Sequence, residues 1–259
     1  MSLVVTTIED SIGTILMNHV QKRNALGQAL IADILEALRG FREQNLRVII
    51  LRAPEGAMVW SAGHDVSELP QAHRDPLGWD DPLRRLIREV ENYPAPIIAM
   101  IEGSVWGGAC ELAFACDLVI AADDSTFAIT PAKLGVPYNL SGLLTFMNTI
   151  SLHIVKEMAF TGSPMKAERA ERLGIVNQIV SRQELKQHSY EIAKQIVRNS
   201  PLSIAIMKEE MNLLANAHDL SPLMFERIQS LRREVYNSQD YQEGIRAFLE
   251  KRSPNFSGK

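Results

Sequence analysis

Only two cysteines occur in 259 residues, Cys110 and Cys116. They lie six apart in one apolar segment, make no Cys-x-x-Cys pair and have no histidine at ligand spacing beside them. This excludes a disulfide scaffold and reads as two reduced core thiols of a cytosolic protein. His19, His73, His153, His188 and His218 share no metal-ligand spacing either, so no metal is expected. An excess of positive charge is also missing. The formal net charge is -4, which supplies no bulk field for nucleic acid or an anionic membrane, although a local basic patch stays open. No apolar run approaches the roughly 20 residues of a membrane span. The N-terminal stretch carries acids early and has neither a basic leader nor a small-residue cleavage site, so no signal peptide is expected. Low-complexity tracts and internal repeats are absent as well.

What is present is an ordinary globular composition, 46% hydrophobic and 22% charged. A chain of this length can bury a core without staples and corresponds to one or two domains at about 150 residues each. Val4 to Thr7 and Thr14 to Asn18 flank a turn-prone stretch from Glu9 to Gly13 and predict a hairpin. Leu30, Ile31, Ile34, Leu35 and Leu38 recur at helical spacing within Gln28 to Phe41, with Gly40 near the end. Val48 to Leu51, Ile97 to Ile101 and Leu118 to Ala121 are short continuous apolar runs, as expected of strands buried on both faces. Asp81-Pro82 opens a helix through Asn92, and the proline-rich stretch after Tyr93 stops it. Residues 53 to 82 have little periodicity and read as a long functional loop. Alternating strands and helices predict an α/β core over 1–199. From about 182 onward four helices are expected, punctuated by Pro201, Pro222 and Pro254. Residues 200–259 are therefore assigned to a C-terminal helical region that packs on the core, on a partner subunit, or on both. The pairs Arg84-Arg85 and Arg232-Arg233 read as solvated faces or subunit contacts.

Two small-residue loops carry the chemistry. Gly107-Gly108 sits where a strand turns into a helix, and glycine there lets main-chain N–H groups and the positive helix end approach a ligand. Ser61-Ala62-Gly63-His64-Asp65 follows a strand end near Val59-Trp60 and again leaves amides accessible. Each loop alone has a plainer explanation, as a packing turn or a surface histidine. Together they can offer one N–H each to a single oxygen, forming an oxyanion hole.

These segments resemble the crotonase (enoyl-CoA hydratase/isomerase) superfamily. So do Arg23-Asn24-Ala25-Leu26, Cys116-Asp117, Leu173-Gly174-Ile175-Val176-Asn177 and Ala247 to Arg252, in the family's order and over essentially the whole chain. The likeness extends to the branch that decarboxylates methylmalonyl-CoA. It is carried by Trp60 to Asp65, by Gly103-Ser104-Val105-Trp106-Gly107-Gly108-Ala109, by Leu134-Gly135-Val136-Pro137-Tyr138-Asn139-Leu140 and by Glu250 to Phe256. The resemblance implies a crotonase (ClpP-like) spiral of ββα units with a C-terminal helical trimerisation region. It implies assembly as a trimer or dimer of trimers, an acyl-CoA substrate, and no cofactor beyond the coenzyme A the substrate carries. The thioester oxygen would lie between the amides of His64 and Gly108. Segment 21 to 26, with Arg23 and Ala25, would line the nucleotide end. Phe248 and Lys251, from this subunit or a neighbour, would close over it. Ser61, Ala62, Gly63, Asp65, Gly107 and Pro131 would complete the site, with Trp106 and Trp60 as walls of the acyl pocket.

Hydration of an enoyl thioester uses two carboxylates in such enzymes. Glu111 matches the first, and no Glu stands near Pro131-Ala132-Lys133, where the second belongs. A hydratase without it would lose about 10²–10⁴-fold. Decarboxylation needs no base to begin: the C–C bond breaks into the thioester and an enolate oxygen must be stabilised. The expected reaction is thus conversion of methylmalonyl-CoA to propionyl-CoA and CO2, in the cytoplasm, with no nucleic acid or membrane partner. Tyr138 and the His64 imidazole are candidates to orient the carboxylate or protonate the enolate. Glu111 is either a participant or a first-turn helix acid. The alternatives are another crotonase-type reaction on an acyl-CoA and a non-catalytic acyl-CoA- or RNA-binding module.

Overall fold

The computed structural model describes residues 2–70 and 74–259, so His73 lies outside the described residues. In chain order the elements are β1 Val4–Glu9, β2 Ile12–Met17, α1 Gln28–Glu43, β3 Val48–Arg52, β4 Val59–Ser61, α2 Pro82–Glu91, β5 Ile97–Ile101, β6 Ser104–Trp106, α3 Gly108–Ala115, β7 Leu118–Ala122 and β8 Thr126–Ala128. They continue with α4 Leu140–Thr149, α5 Leu152–Thr161, β9 Met165–Lys166, α6 Ala167–Arg172, β10 Gln178–Val180, α7 Leu185–Val197, α8 Pro201–Ala215, α9 Pro222–Tyr236 and α10 Gln239–Leu249. Short 3-10 turns occupy Val20–Lys22, Val66–Glu68 and Pro131–Leu134.

Two sheets result, ordered β1-β2-β3-β5-β7-β10 and β4-β6-β8-β9. Successive strand pairs β3/β4, β5/β6 and β7/β8 each give their first strand to the larger sheet and their second to the smaller, which is the spiral of ββα units. Neighbouring strands are parallel except in the β1–β2 hairpin and the β8–β9 pair. The larger sheet is buried on both sides, which explains its unbroken apolar strands. Val48, Ile50, Ile98, Met100 and Ile120 face Leu185 and Ala193 of α7. Ile49, Leu51, Ile97, Ala99 and Ile101 join the main core with Trp60 and helices α1 to α3.

Three local expectations change. The hairpin turn narrows to Asp10-Ser11, both at positive φ, the geometry of a two-residue type I′ turn. Helix α1 runs through Gly40 to Glu43. The long loop contains β4 and the Val66–Glu68 turn, the latter capped by Asp65, whose carboxylate accepts from the Ser67 amide at 3.1 Å. Both cysteines are free and buried, and burial pushes the Cys110 thiol up to about 12.

The C-terminal helices pack on the core of their own chain. From α8, Lys208 donates to Val90 O (3.1 Å) and Asp117 (2.7 Å), and Asn212 donates to Glu91 O (2.8 Å), closing the C-terminal end of α2. Helix α10 folds back over the Pro131–Leu134 turn. Its Tyr241 is fully buried and donates to Pro70 O at 2.7 Å, and Gly244 rests so close that a Cβ there would lie 2.1 Å from Leu134 O. Glu243 accepts from Arg246, Arg252 and the Asn255 amide, pinning the tail to α10. No helix among the described residues is long and apolar enough to cross a membrane.

Candidate active site

The site forms where segment 19–26 is laced to segment 60–65. Arg23 and Asn24 adopt left-handed φ values of 52° and 51°. This bend lets Arg23 O accept from the Ala62 amide (2.9 Å), Asn24 O from the Ser61 hydroxyl (2.6 Å) and Gly63 O from the Leu26 amide (2.7 Å). Gly63 (φ 84°) touches the second loop so closely that a Cβ would lie 2.3 Å from Trp106 O and 3.1 Å from Gly108 N. Gly107 takes φ 52° with ψ -121°, a conformation only glycine adopts readily, and starts α3. A Cβ built on Gly108 would be 3.5 Å from His64 N, so the two amides are neighbours. Among the described residues neither amide donates a backbone hydrogen bond.

Beside this pair opens a cavity of about 840 Å³. Its walls include Arg23, Ala25, Ala62, His64, Asp65, Trp106, Gly107, Gly108, Glu111, Pro131, Tyr138, Phe248 and Lys251. Three expected residues stand elsewhere. Ser61 is fully buried, with its hydroxyl between Asn24 O and the Gly63 amide, so it braces the loop rather than meeting a ligand. Gly63 lies behind the wall as the loop-to-loop contact. Trp60 is a core residue donating to Met100 O (3.0 Å), not an acyl wall. Phe248 and Lys251 reach the cavity of their own chain, because α10 is docked on the Pro131–Leu134 turn.

The titratable groups are constrained. Glu111 is wholly buried and paired with Arg84, and its second oxygen has no partner among the described residues. Burial pushes its carboxyl up to about 7, with Glu91 and Asp81 adding to the effect and Arg84 opposing it. The Tyr138 hydroxyl is likewise buried without a partner, its ring edge-on to Phe146 at 5.2 Å. Burial and the nearby Glu111 hold that phenol well above its ordinary range. Asp65 is ion-paired to Lys22 at 2.7 Å; burial disfavours its charge, but the bonds from Lys22 and Ser67 win and hold its carboxyl below the usual range. The His64 ring meets Asp65 O through Nδ1 (3.1 Å) and the Asp81 carboxylate through Nε2 (3.1 Å). Burial works against a charged ring, yet Asp81 outweighs it and His64 titrates above the ordinary histidine value. The rim carries Arg23, Lys133 and Lys251, which have no carboxylate partner among the described residues. The described residues contain no cluster of three or more His, Cys, Asp or Glu side chains placed to hold a metal ion.

The sequence matches the enoyl-CoA hydratase/isomerase family over residues 7–259. The chain belongs to that family. It is 50% identical over 254 residues to methylmalonyl-CoA decarboxylase of Escherichia coli (strain K12), covering 98% of this chain and 97% of that protein. Carnitinyl-CoA dehydratase of the same strain is 35% identical over 246 residues, 92% of each chain. The solved structure of methylmalonyl-CoA decarboxylase in complex with 2-nitronate-propionyl-CoA superposes with a TM-score of 0.98 at 49% identity, covering 99% of both chains.

Beyond the two loops of this enoyl-CoA hydratase/isomerase family member, the structure adds residues that the sequence hid. Arg84 is not solvated; it is 2% exposed and bridges Glu111 to Ser141. Arg232 is buried too, held by Asp75 while its Nε donates to Tyr138 O at 3.0 Å. Arg85 and Arg233 do face solvent. The missed signal was register. Arg84 precedes Ile87 by three on the apolar stripe of α2, and Arg232 follows Ile228 by four on that of α9.

Proposed function

We propose that this chain decarboxylates methylmalonyl-CoA to propionyl-CoA and CO2 through a thioester enolate. The observation that carries the proposal is a pair of neighbouring amides, His64 and Gly108, that donate no backbone hydrogen bond among the described residues, beside a cavity in which Glu111 has no second catalytic carboxylate to work with, Asp65 being tied to Lys22. The thioester oxygen accepts from both amides. As the carboxylate leaves, its bonding pair moves into the carbonyl system and the oxygen gains charge. Each preorganised amide is worth about 2.7–4 kcal/mol in that state. The Tyr138 hydroxyl and the His64 imidazole hold the departing carboxylate out of the thioester plane, so that the breaking bond overlaps the carbonyl π system. One of the two then supplies the proton to the α-carbon. Arg23, Lys133 and Lys251 face the coenzyme's phosphates, and Phe248 covers the nucleotide. Hydration is disfavoured because no free carboxylate pair exists for its acid–base work.

The same reading places the enzyme in the cytoplasm as a homo-oligomer, a trimer or dimer of trimers, with no resident cofactor. Exposed Leu202, Ile206, Met207, Met211, Leu213 and Leu214 on α8 support the assembly, being too apolar a surface to leave in water.

The test offers methylmalonyl-CoA, malonyl-CoA and crotonyl-CoA separately, following CO2, the product thioester and the enoyl absorbance. CO2 release from the first is expected, and fast hydration of crotonyl-CoA without CO2 from the others would overturn the proposal. Gly108→Pro sharpens it. Proline is tolerated at the first position of a helix, but a Cβ there would lie 2.5 Å from Leu83 Cδ2, so thermal melting accompanies the assay to show that α3 still forms while one oxyanion donor is lost. Turnover should fall at least about 10²–10³-fold.

A further inference from the structure

The Asp81 carboxylate divides its two oxygens between two tasks. Oδ1 caps α2, accepting from the amides of Leu83 (3.0 Å) and Arg84 (3.3 Å), and Oδ2 faces His64 Nε2 at 3.1 Å. The opposite ring nitrogen, Nδ1, faces the Asp65 carbonyl, which can only accept. We propose that Asp81 is a positioning residue that keeps the His64 ring a donor at both nitrogens, so that a cation stands where the substrate carboxylate arrives. The inference rests on the decarboxylation reading and deepens it.

A neutral imidazole has one N–H and one acceptor lone pair. Whichever nitrogen carries the single proton, a neutral ring turns its lone pair toward an acceptor, the Asp81 carboxylate or the Asp65 carbonyl. Protonation removes that conflict. The remaining charged groups around the ring do not substitute for Asp81. On α2, Arg84 is bound to Glu111 and Ser141. On α3, Glu111 is held by that same arginine. At the Val66–Glu68 turn, the Asp65 carboxylate is tied to Lys22, and Glu68 accepts from the Gln28 amide at 2.7 Å while adding negative potential at the ring. The carboxylate of a malonyl-type thioester can then share the Nε2 proton with Asp81. A product lacking that carboxylate gains nothing from the charge.

Asp81→Asn separates the charge from the cap. Asparagine is as good an N-cap as aspartate, so its oxygen still holds the start of α2. Its amide NH2 now faces Nε2 and makes that nitrogen an acceptor, favouring the neutral ring. The experiment titrates the His64 ring by NMR in the wild type and in Asp81→Asn. It also measures kcat and KM for methylmalonyl-CoA across pH, propionyl-CoA affinity and thermal melting. Expected are a fall in the His64 pKa of about one to two units and an alkaline limb of kcat/KM moved down by the same amount. At neutral pH, kcat/KM for methylmalonyl-CoA should fall roughly tenfold or more, a charge-assisted hydrogen bond being lost, with propionyl-CoA affinity unchanged; melting should be unchanged at alkaline pH, above the folded pKa of the ring, and lower in acid, where the charged pair of the wild type contributes stability. Asp81→Ser, which also caps, should lower the His64 pKa too. An unmoved His64 titration in both variants, or equal weakening toward both thioesters, would overturn the proposal. A wild-type chain that releases no CO2 while His64 still shifts as expected would instead overturn the decarboxylation reading and uphold the hold of Asp81 on the ring.

Discussion

Tyr138 can be tested without disturbing the fold, because among the described residues its hydroxyl bonds to nothing. Tyr138→Phe removes no hydrogen bond from the free protein, so the melting temperature should hold or rise slightly. CO2 release should fall about 10- to 100-fold, the range for losing a hydrogen bond to a charged group. Scanning calorimetry beside a CO2 assay checks this, and a several-degree loss with intact turnover would make Tyr138 a packing residue. Tyr138 was legible in the sequence because a motif carries it. Arg84, Arg232 and Asp81 were not. Register hinted that Arg84 and Arg232 are buried, and Asp81 read as a helix start, but the partner that gives each its role is remote along the chain.

Helices α2 and α3 are joined inside the core by the Arg84–Glu111 pair. Arg84→Met leaves a buried carboxylate alone and should cost about 3–5 kcal/mol, whereas Arg84→Met with Glu111→Leu should recover most of it. The pH dependence has a definite sign. A carboxyl whose folded pKa is raised favours folding in acid, and that contribution is lost as pH rises through the folded value. Glu111 already sits up at about 7 with Arg84 present, and higher without it. The deficit of Arg84→Met should therefore be small at pH 5 and grow as pH rises past about 7, so that it is clearly larger at pH 8, as urea unfolding at the two values will show. On the roof, Gly244→Ala drives a Cβ against the Leu134 carbonyl, which is backbone and cannot swing away. Helix α10 must lift, carrying Phe248 with it, and KM for acyl-CoA should rise several-fold more than kcat falls. The apolar strands β3, β5 and β7 were readable from composition because both their faces are covered. The elements between 123 and 181 were not. Strands of two or three residues and six- to ten-residue helices leave too few positions for a period to register.

For the whole chain, acid should act first on the tail. Glu243 is held well below the usual carboxylate range by Arg252 and Arg246, and Asp240 is lowered by the Ser257 and Gly258 amides. Groups with lowered pKa values contribute stability that is present above the ordinary carboxylate range and is lost as pH falls through the folded values. Amide exchange at Asn255, Ser257 and Gly258 should therefore quicken below about pH 4, before α1 or the central strands respond. The spiral core, its helical end and the closing of Phe248 and Lys251 over the site were foreseeable from the family motifs, but not that α10 folds back onto the cavity of its own chain, since the buried glycine that permits it resembles any other helical glycine. That fold-back has a genetic consequence. Arg23 at one rim, Tyr138 in the depth and Phe248 in the roof come from a single polypeptide, so all three reach one cavity within one chain. Mixed assemblies of a Tyr138-defective allele and a Gly108-defective allele should show no intersubunit complementation, and a heterozygote would retain activity only in proportion to its intact chains.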